Sequence, residues 1–578
     1  MEKLEGLYTI SAKDGRMVSV KHRETTTFAA QRADGEGYVT AMYNEDISID
    51  KASAPGATPY YRSWESDDYF YDGARICFMK VDVARGKSAR AVVERTYRAP
   101  EQFCSIVLVS PYFVKTLSVE LRVPAELADG LHVMPYRLPA GMSFSRKAQS
   151  DGSVVYRVDA SDVDAYSGEP YAPSASVSAP QLFVYGYFRS PQELYSHLRS
   201  YCSPDDLGDE EVARVAARLR AIAPSDDMAL VDSTLFWVHD NIRYLAVEHG
   251  EYGVRPAPAA DVLARRAGDC KGSANLLRAL LRRNGVDARL VWTGINGYVA
   301  TDWDSVPALC SGNHMIAAAM LGDSLVFLDG TAAGIPARYV PQGLRGRRVM
   351  VENGDEVLMA TIPDAATDAD TDTLRADYAV EGTDLRGRME RIAGGAARAM
   401  LHNILTSVAP AERMAMLERY LRYPKKNVAV SEVEISAPDH AACHNVAATV
   451  AEHGSAVRMG DRIMLDIRPI RSIYAEPVPT KGRKHDYMLS GMSGSVYRYR
   501  VRLPEGYEPQ SLPPRFDVSD RWVEASIAYS YADGVLECEA SFKPAAAFVP
   551  LAELEARNAA LRAVRRASEN RIVIVPTK

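Results

Sequence analysis

Gly268-Asp269-Cys270-Lys271, followed by Asn313-His314 and then by Leu328-Asp329-Gly330, places a cysteine, a histidine and an aspartate in that order. The residues after Cys270 predict a helix. Ala274, Leu277, Leu280 and Leu281 recur at helical spacing, and Leu276 widens the apolar stripe. Arg278, Arg282 and Arg283 take the other face and the last turn, where cations suit the negative end of the helix. Asn284-Gly285 is a stop signal and Asp269 a natural N-cap. Cys270 therefore belongs to the first turn. There the unpaired N–H groups favour a thiolate, and they are placed to hold an oxyanion. A free cysteine is also an ordinary small buried residue, so the position alone does not decide its role.

Asn313–Leu321 and Ser324–Leu328 are apolar runs separated by Gly322-Asp323, a two-residue hairpin signal. With those two residues as the turn, Leu321 lies opposite Ser324 and Ile316 faces position 329. His314, two residues from Ile316, then shares a face with Asp329. Diagonal neighbours of this kind sit roughly 7–8 Å apart at the backbone, within side-chain reach. A carboxylate there fixes the imidazole tautomer and stabilises its cation. Taken separately, a core histidine and a turn aspartate would explain these residues. Together with Cys270 they compose a thiol nucleophile, its base and the acid that orients the base.

These residues resemble the transglutaminase-like superfamily, which shares its core with papain-type cysteine proteases. The resemblance runs from about Glu210 to Met350. It takes in the predicted helix Met228–Ile242 with Phe236 and Trp237, the Tyr244 step, Gly-Asp-Cys-Lys, Gly285-Val286-Asp287-Ala288-Arg289, Asn313-His314 and Leu328-Asp329-Gly330-Thr331. It implies Cys270 as nucleophile, His314 as general base and Asp329 as orienting acid. The whole chain is similar to a bacterial multidomain group, common in Bacteroidetes, with a β-sandwich before the core and a β-rich domain after it. Gly272 departs from the acidic residue often found there in that group. Papain-like enzymes take a second oxyanion donor from shortly before the cysteine. The stretch Glu251–Pro256 offers Tyr252 or Arg255 for that role or as cleft wall. Asp269 and Asn313 are the other cleft candidates.

At 578 residues the chain is too long for one core. With 25% charged and 47% hydrophobic residues it is an ordinary globular composition. A net charge of −7 and a pI near 6.0 provide no basic field for nucleic acid. No apolar run approaches the roughly 18 residues that a membrane span needs. The N-terminus has no apolar signal core. The resemblance implies a periplasmic or secreted protein with its leader removed, whereas Met1 as the native start implies a cytoplasmic one. The seven cysteines are scattered, without a CxxC pair or zinc spacing, and no stretch has EF-hand spacing. Neither a metal nor a cofactor is expected.

Residues 1–180 read as half-buried strands with frequent turns, as in an antiparallel β-sandwich. Helices near Pro191–Tyr201 and Asp209–Ile222 lead into the core, assigned to residues 181–360. The acidic, aperiodic stretch Thr361–Thr373 marks a second boundary. A C-terminal β-rich domain with helices follows over residues 361–578, its helical stretch Ala396–Leu421 broken at Pro410. His440 and His444 flank Cys443 there and read as solvated or structural residues. The expected fold is thus multidomain α+β. The expected activity is acyl chemistry on a peptide, protein or other amide through a thioacyl intermediate. The alternative is a silent transglutaminase-like fold that binds peptide or glycan.

Overall fold

The computed structural model describes residues 1–63, 70–71, 73–202, 208–248, 250–364, 370–423, 425–436, 444–489 and 491–577. The chain forms two compact units. One comprises Met1–Ala221, Asn241–Thr331 and Gly346–Ile362; the other comprises Ile222–Asp240, Ala332–Arg345 and Pro363–Lys578.

The N-terminal part of the first unit is built on a seven-stranded sheet. Its order is Met142–Ala148, Val154–Val163, Val114–Val123, Lys3–Lys13, Arg16–Ala30, Lys87–Tyr97, Ile47–Ser53. Alternation along these strands sends one residue in two inward: in Val114–Val123, residues Leu117, Val119, Leu121 and Val123 are buried. Val20, Leu121 and Val158 share a core with Ile106, Leu182 and Val184 of a three-stranded sheet. Ala91 and Val93 share another with Val39, Met79 and Val81 of a second three-stranded sheet. Sheets packed face to face in this way make the expected sandwich. Its pairs are antiparallel except one: Lys3–Lys13 lies parallel to Val114–Val123. Parallel neighbours need a long crossover, which the hundred-odd residues between them supply.

The rest of that unit holds the helix and hairpin read from the sequence. A five-stranded antiparallel sheet runs Ser324–Leu328, His314–Leu321, Asp287–Thr293, Arg348–Val351, Leu358–Thr361. Leu321 pairs with Ser324 and Ala317 with Leu328, the register expected from a Gly322-Asp323 turn. The helix Cys270–Arg283 packs on the two strands Asp287–Thr293 and His314–Leu321. It is enclosed along its length, with every residue from Cys270 to Leu281 buried. Full burial of a leucine such as Leu280 contributes about 1.5–3 kcal/mol. Arg278 is buried as well. Its Nη1 donates to Glu352 Oε1 at 2.7 Å and its Nη2 to Asn275 Oδ1 at 2.7 Å. Arg278 on the polar face thus meets protein rather than water, whereas Arg283 in the last turn is exposed.

The second unit has an eight-stranded sheet. Its order is Val428–Ile435, His444–Glu452, Asp384–Ala393, Asp372–Glu381, Ser495–Arg502, Val535–Pro544, Val523–Ala532, Phe516–Ser519. Helices Gly395–Thr406, Pro410–Arg422 and Leu554–Ser568 belong to it, and Pro410 opens the second of these, where the sequence predicts a break. Tyr497, Tyr499, Phe542, Leu417, Leu421 and Leu561 share its core. Fully buried Glu452 pairs with Arg471 and Lys425 and accepts from the Tyr378 hydroxyl at 2.7 Å. Part of the Thr361–Thr373 stretch, His440 and Cys443 lie outside the described residues. His444 is buried and stacks on His402.

Candidate active site

Asp269 caps the Cys270–Arg283 helix: its Oδ1 accepts from the Gly272 N–H at 2.8 Å and its carbonyl from the Ser273 N–H at 2.9 Å. This starts the helix at Cys270 and sets the thiol in its first turn, 5% exposed. His314 opens its strand and pairs with Thr293 across the sheet. Asn313 fixes that approach, its N–H donating to the Thr293 carbonyl at 3.1 Å and its Oδ1 accepting from the Ile295 N–H at 3.0 Å. Asp329 follows the last paired residue of the neighbouring strand, where the register carries it opposite Ile316.

The three side chains meet. His314 Nε2 lies 3.1 Å from Asp329 Oδ2. The imidazole also hydrogen-bonds Cys270, and with Nε2 engaged by the carboxylate, Nδ1 is the atom left for the thiol. The other carboxylate oxygen, Asp329 Oδ1, accepts from both the Thr331 N–H at 2.9 Å and the Thr331 hydroxyl at 2.7 Å. Thr331 therefore fixes which way the acid points. The side chains of His314 and Asp329 are each 8% exposed. Burial by itself would push the imidazole down. The charge and hydrogen bond of Asp329, with those of Cys270, outweigh it and hold His314 at about 10. Burial likewise would push Asp329 up, but His314 and the Thr331 donors hold it down at about 2.

Three further residues surround the nucleophile. Lys271 is buried, its Nζ 2.5 Å from Asp269 Oδ2 and 3.2 Å from Glu248 Oε1. Its ammonium is held charged against a strong burial penalty by Cys270, Asp269 and Glu248. Tyr244 pairs in parallel with Gly268, two residues before the cysteine. Burial first, and then the charges of Cys270 and Asp269, push its phenol up to about 12, so it stays a neutral donor. The sequence reading contains Lys271 and Tyr244 as motif residues without roles and misses Glu248. A lysine beside an N-cap aspartate was the available signal: a cation in a first helical turn calls for partners. Tyr252 is half exposed in the turn Gly250–Gly253, and Arg255 is engaged by Glu251 at 3.1 Å. No group of metal-ligating side chains occurs among the described residues.

Residues 215–330 match the family model of the Transglutaminase-like superfamily. No curated protein matches the chain. Among solved structures it is similar to a candidate protease from Parabacteroides distasonis, 12% identical with a TM-score of 0.61 over 99% of this chain and 98% of that one. It also matches a candidate cysteine protease from Cytophaga hutchinsonii, 13% identical with a TM-score of 0.19, over 60% of this chain and 92% of that one. A candidate nutrient-binding protein from Legionella pneumophila matches over 46% of this chain and 83% of its own, 10% identical with a TM-score of 0.21. Residues 215–330 are therefore a transglutaminase-like domain, set in a multidomain chain whose fold is shared from end to end with the Parabacteroides protein.

Proposed function

We propose that the chain is a cysteine-dependent enzyme of acyl bonds, a peptidase or amidase, with Cys270 as nucleophile, His314 as acid and base, and Asp329 as the group that orients His314. The observation that carries this reading is the continuous chain of hydrogen bonds from Thr331 through Asp329 and His314 to Cys270. A purely structural histidine needs one partner; this one has an acid on one side and a thiol on the other. The first-turn N–H groups and the His314 cation favour a thiolate–imidazolium pair as the reactive form. The sulfur attacks the substrate carbonyl carbon. The N–H groups of Cys270 and Lys271, which the Asp269 cap leaves untaken, face the developing oxyanion. The imidazolium gives its proton to the leaving amine, and a thioester remains. Neutral His314 then takes a proton from water, whose oxygen attacks the thioester, and the thiolate leaves beside the imidazolium. Peptides and other amides are the substrate class that suits this cycle.

Acyl-enzyme trapping tests the reading. The full chain is mixed with a short-chain p-nitrophenyl ester, quenched in acid and weighed by intact and peptide mass spectrometry. One acyl group on Cys270, absent from Cys270→Ala, is the expected result. An unacylated Cys270, or equal labelling of the variant, would contradict it. Adding a primary amine to the same reaction separates hydrolysis from transfer by the product released.

A further inference from the structure

A second pair of sulfurs lies outside that site. Cys104 follows the turn Pro100–Gln102 of the N-terminal β region, and Cys310 sits in the 3-10 turn Leu309–Ser311, four residues before His314. Both belong to the first unit and both are free thiols. They share a small apolar cluster in which Val306, Ala308 and Met134 surround them. Cys310 Sγ lies 3.9 Å from the Cys104 carbonyl oxygen, and the two thiols hydrogen-bond each other. Cys104 Sγ also receives the N–H groups of Leu309 and Cys310, and its S–H donates to the Glu101 carbonyl at 3.3 Å. Cys104 is 5% exposed, and Cys310 is partly exposed.

Two thiols in contact, one of them receiving two backbone N–H groups, are more than packing requires. N–H donors aimed at sulfur favour the thiolate, the reactive form. The Cys310 thiol, the larger effect, acts with them against burial and leaves Cys104 below the ordinary thiol value, while the same contact and burial push Cys310 up. The partner thiol stands where a resolving cysteine must stand. The 3-10 turn that holds Cys310 is itself pinned: Ser311 Oγ donates to the Val306 carbonyl at 2.6 Å and shares a 2.8 Å bond with Thr301 Oγ1. The Cys310 side of the pair is therefore fixed.

We propose that Cys104 and Cys310 are a redox pair that closes to a disulfide under a hydroperoxide, tethering the N-terminal β region to the segment that carries His314. The Cys104 thiolate attacks one peroxide oxygen, the O–O bond breaks and hydroxide leaves, giving a sulfenic acid. The Cys310 sulfur then attacks the Cys104 sulfur. The sulfenic hydroxyl leaves with the Cys310 proton as water, and the Sγ–Sγ bond remains. The pair is oxidised by two electrons and the peroxide is reduced. The inference is independent of the role of Cys270.

The test is a hydrogen peroxide titration of the reduced full chain, with free thiols blocked and peptides mapped without reductant. The expected product is a Cys104–Cys310 cross-linked peptide, formed at lower peroxide than oxidation of Cys77 or Cys538. In Cys310→Ser a sulfenic acid should accumulate at Cys104 and be trapped by dimedone. The cross-link closes a loop between residues 206 apart, so the oxidised wild type should also melt above its reduced form, a shift absent from Cys104→Ser. If both thiols stay fully alkylatable while Cys77 or Cys538 oxidises, or if Cys104 pairs with another cysteine, the proposal fails.

Discussion

His314 is set by its neighbours rather than by its own chemistry. An ordinary imidazole loses its proton near 6.5. Here burial is outweighed by Asp329 and Cys270, and the cation persists until the pH rises through about 10. The sign follows: the pair's stabilisation is complete below the ordinary imidazole value and disappears as pH climbs through about 10. Asp329 behaves oppositely, its share present above the ordinary carboxylate value and lost as pH falls through about 2. Asp329→Asn should therefore bring the His314 titration, followed by NMR of its ring protons, down from about 10 towards the ordinary imidazole range. It should also cut turnover by roughly 10²-fold or more. A His314 titration unmoved by the substitution would remove Asp329 from the account. Lys271 makes a different prediction. It is the shared cation of buried Asp269 and of Glu248, which is one third exposed, so Lys271→Ala leaves the two carboxylates without it. The expected loss is about 3–5 kcal/mol, read from urea unfolding. A loss under about 1 kcal/mol would mean that the cluster is effectively solvated.

The helix and the hairpin were legible because their signals are local. A cap at Asp269, an apolar stripe and a stop at Asn284-Gly285 define one element. A two-residue turn between apolar runs fixes the register of the other, and with it the juxtaposition of His314 and Asp329. What lies opposite these elements was not legible. The amphipathic pattern of the helix marks Arg278 as polar but does not say that Glu352, 74 residues away, covers it. Glu248 stands in an unremarkable loop and reaches Lys271 only through the fold. Gly330 shows how closely helix and hairpin fit. A Cβ there would fall 2.9 Å from Ser273 Cβ and 3.2 Å from Leu277 Cδ1 of the helix. Gly330→Ala must separate the Asp329 end of the hairpin from the helix that carries Cys270. The expected cost is about 1–3 kcal/mol in stability, with a larger fall in turnover because the acid–base–thiol spacing shifts. Full turnover in a variant of ordinary stability would show that the contact yields without moving the site.

Across the whole molecule, the sandwich and the eight-stranded sheet were legible as strands and turns but not as sheets. Both contain one parallel junction, Lys3–Lys13 with Val114–Val123 and Asp372–Glu381 with Ser495–Arg502. Each joins strands more than a hundred residues apart, and no local pattern records such a pairing. The buried centre of the second unit is equally non-local. Glu452 has no exposure and serves Arg471, Lys425 and Tyr378 together. Glu452→Ala strands two cations in a low-dielectric core, and should lower stability by about 3–5 kcal/mol in denaturant unfolding. Near-wild-type stability would show that the cations find water.

The most direct test of the account is the pH dependence of iodoacetamide labelling at Cys270 in the native full chain, read peptide by peptide beside His314→Ala. The account predicts labelling of Cys270 well below pH 8 that outpaces Cys77, Cys202 and Cys538 and slows sharply in the variant. A Cys270 that labels no faster than those cysteines, or is indifferent to His314, would contradict the thiolate–imidazolium pair on which the enzyme reading rests.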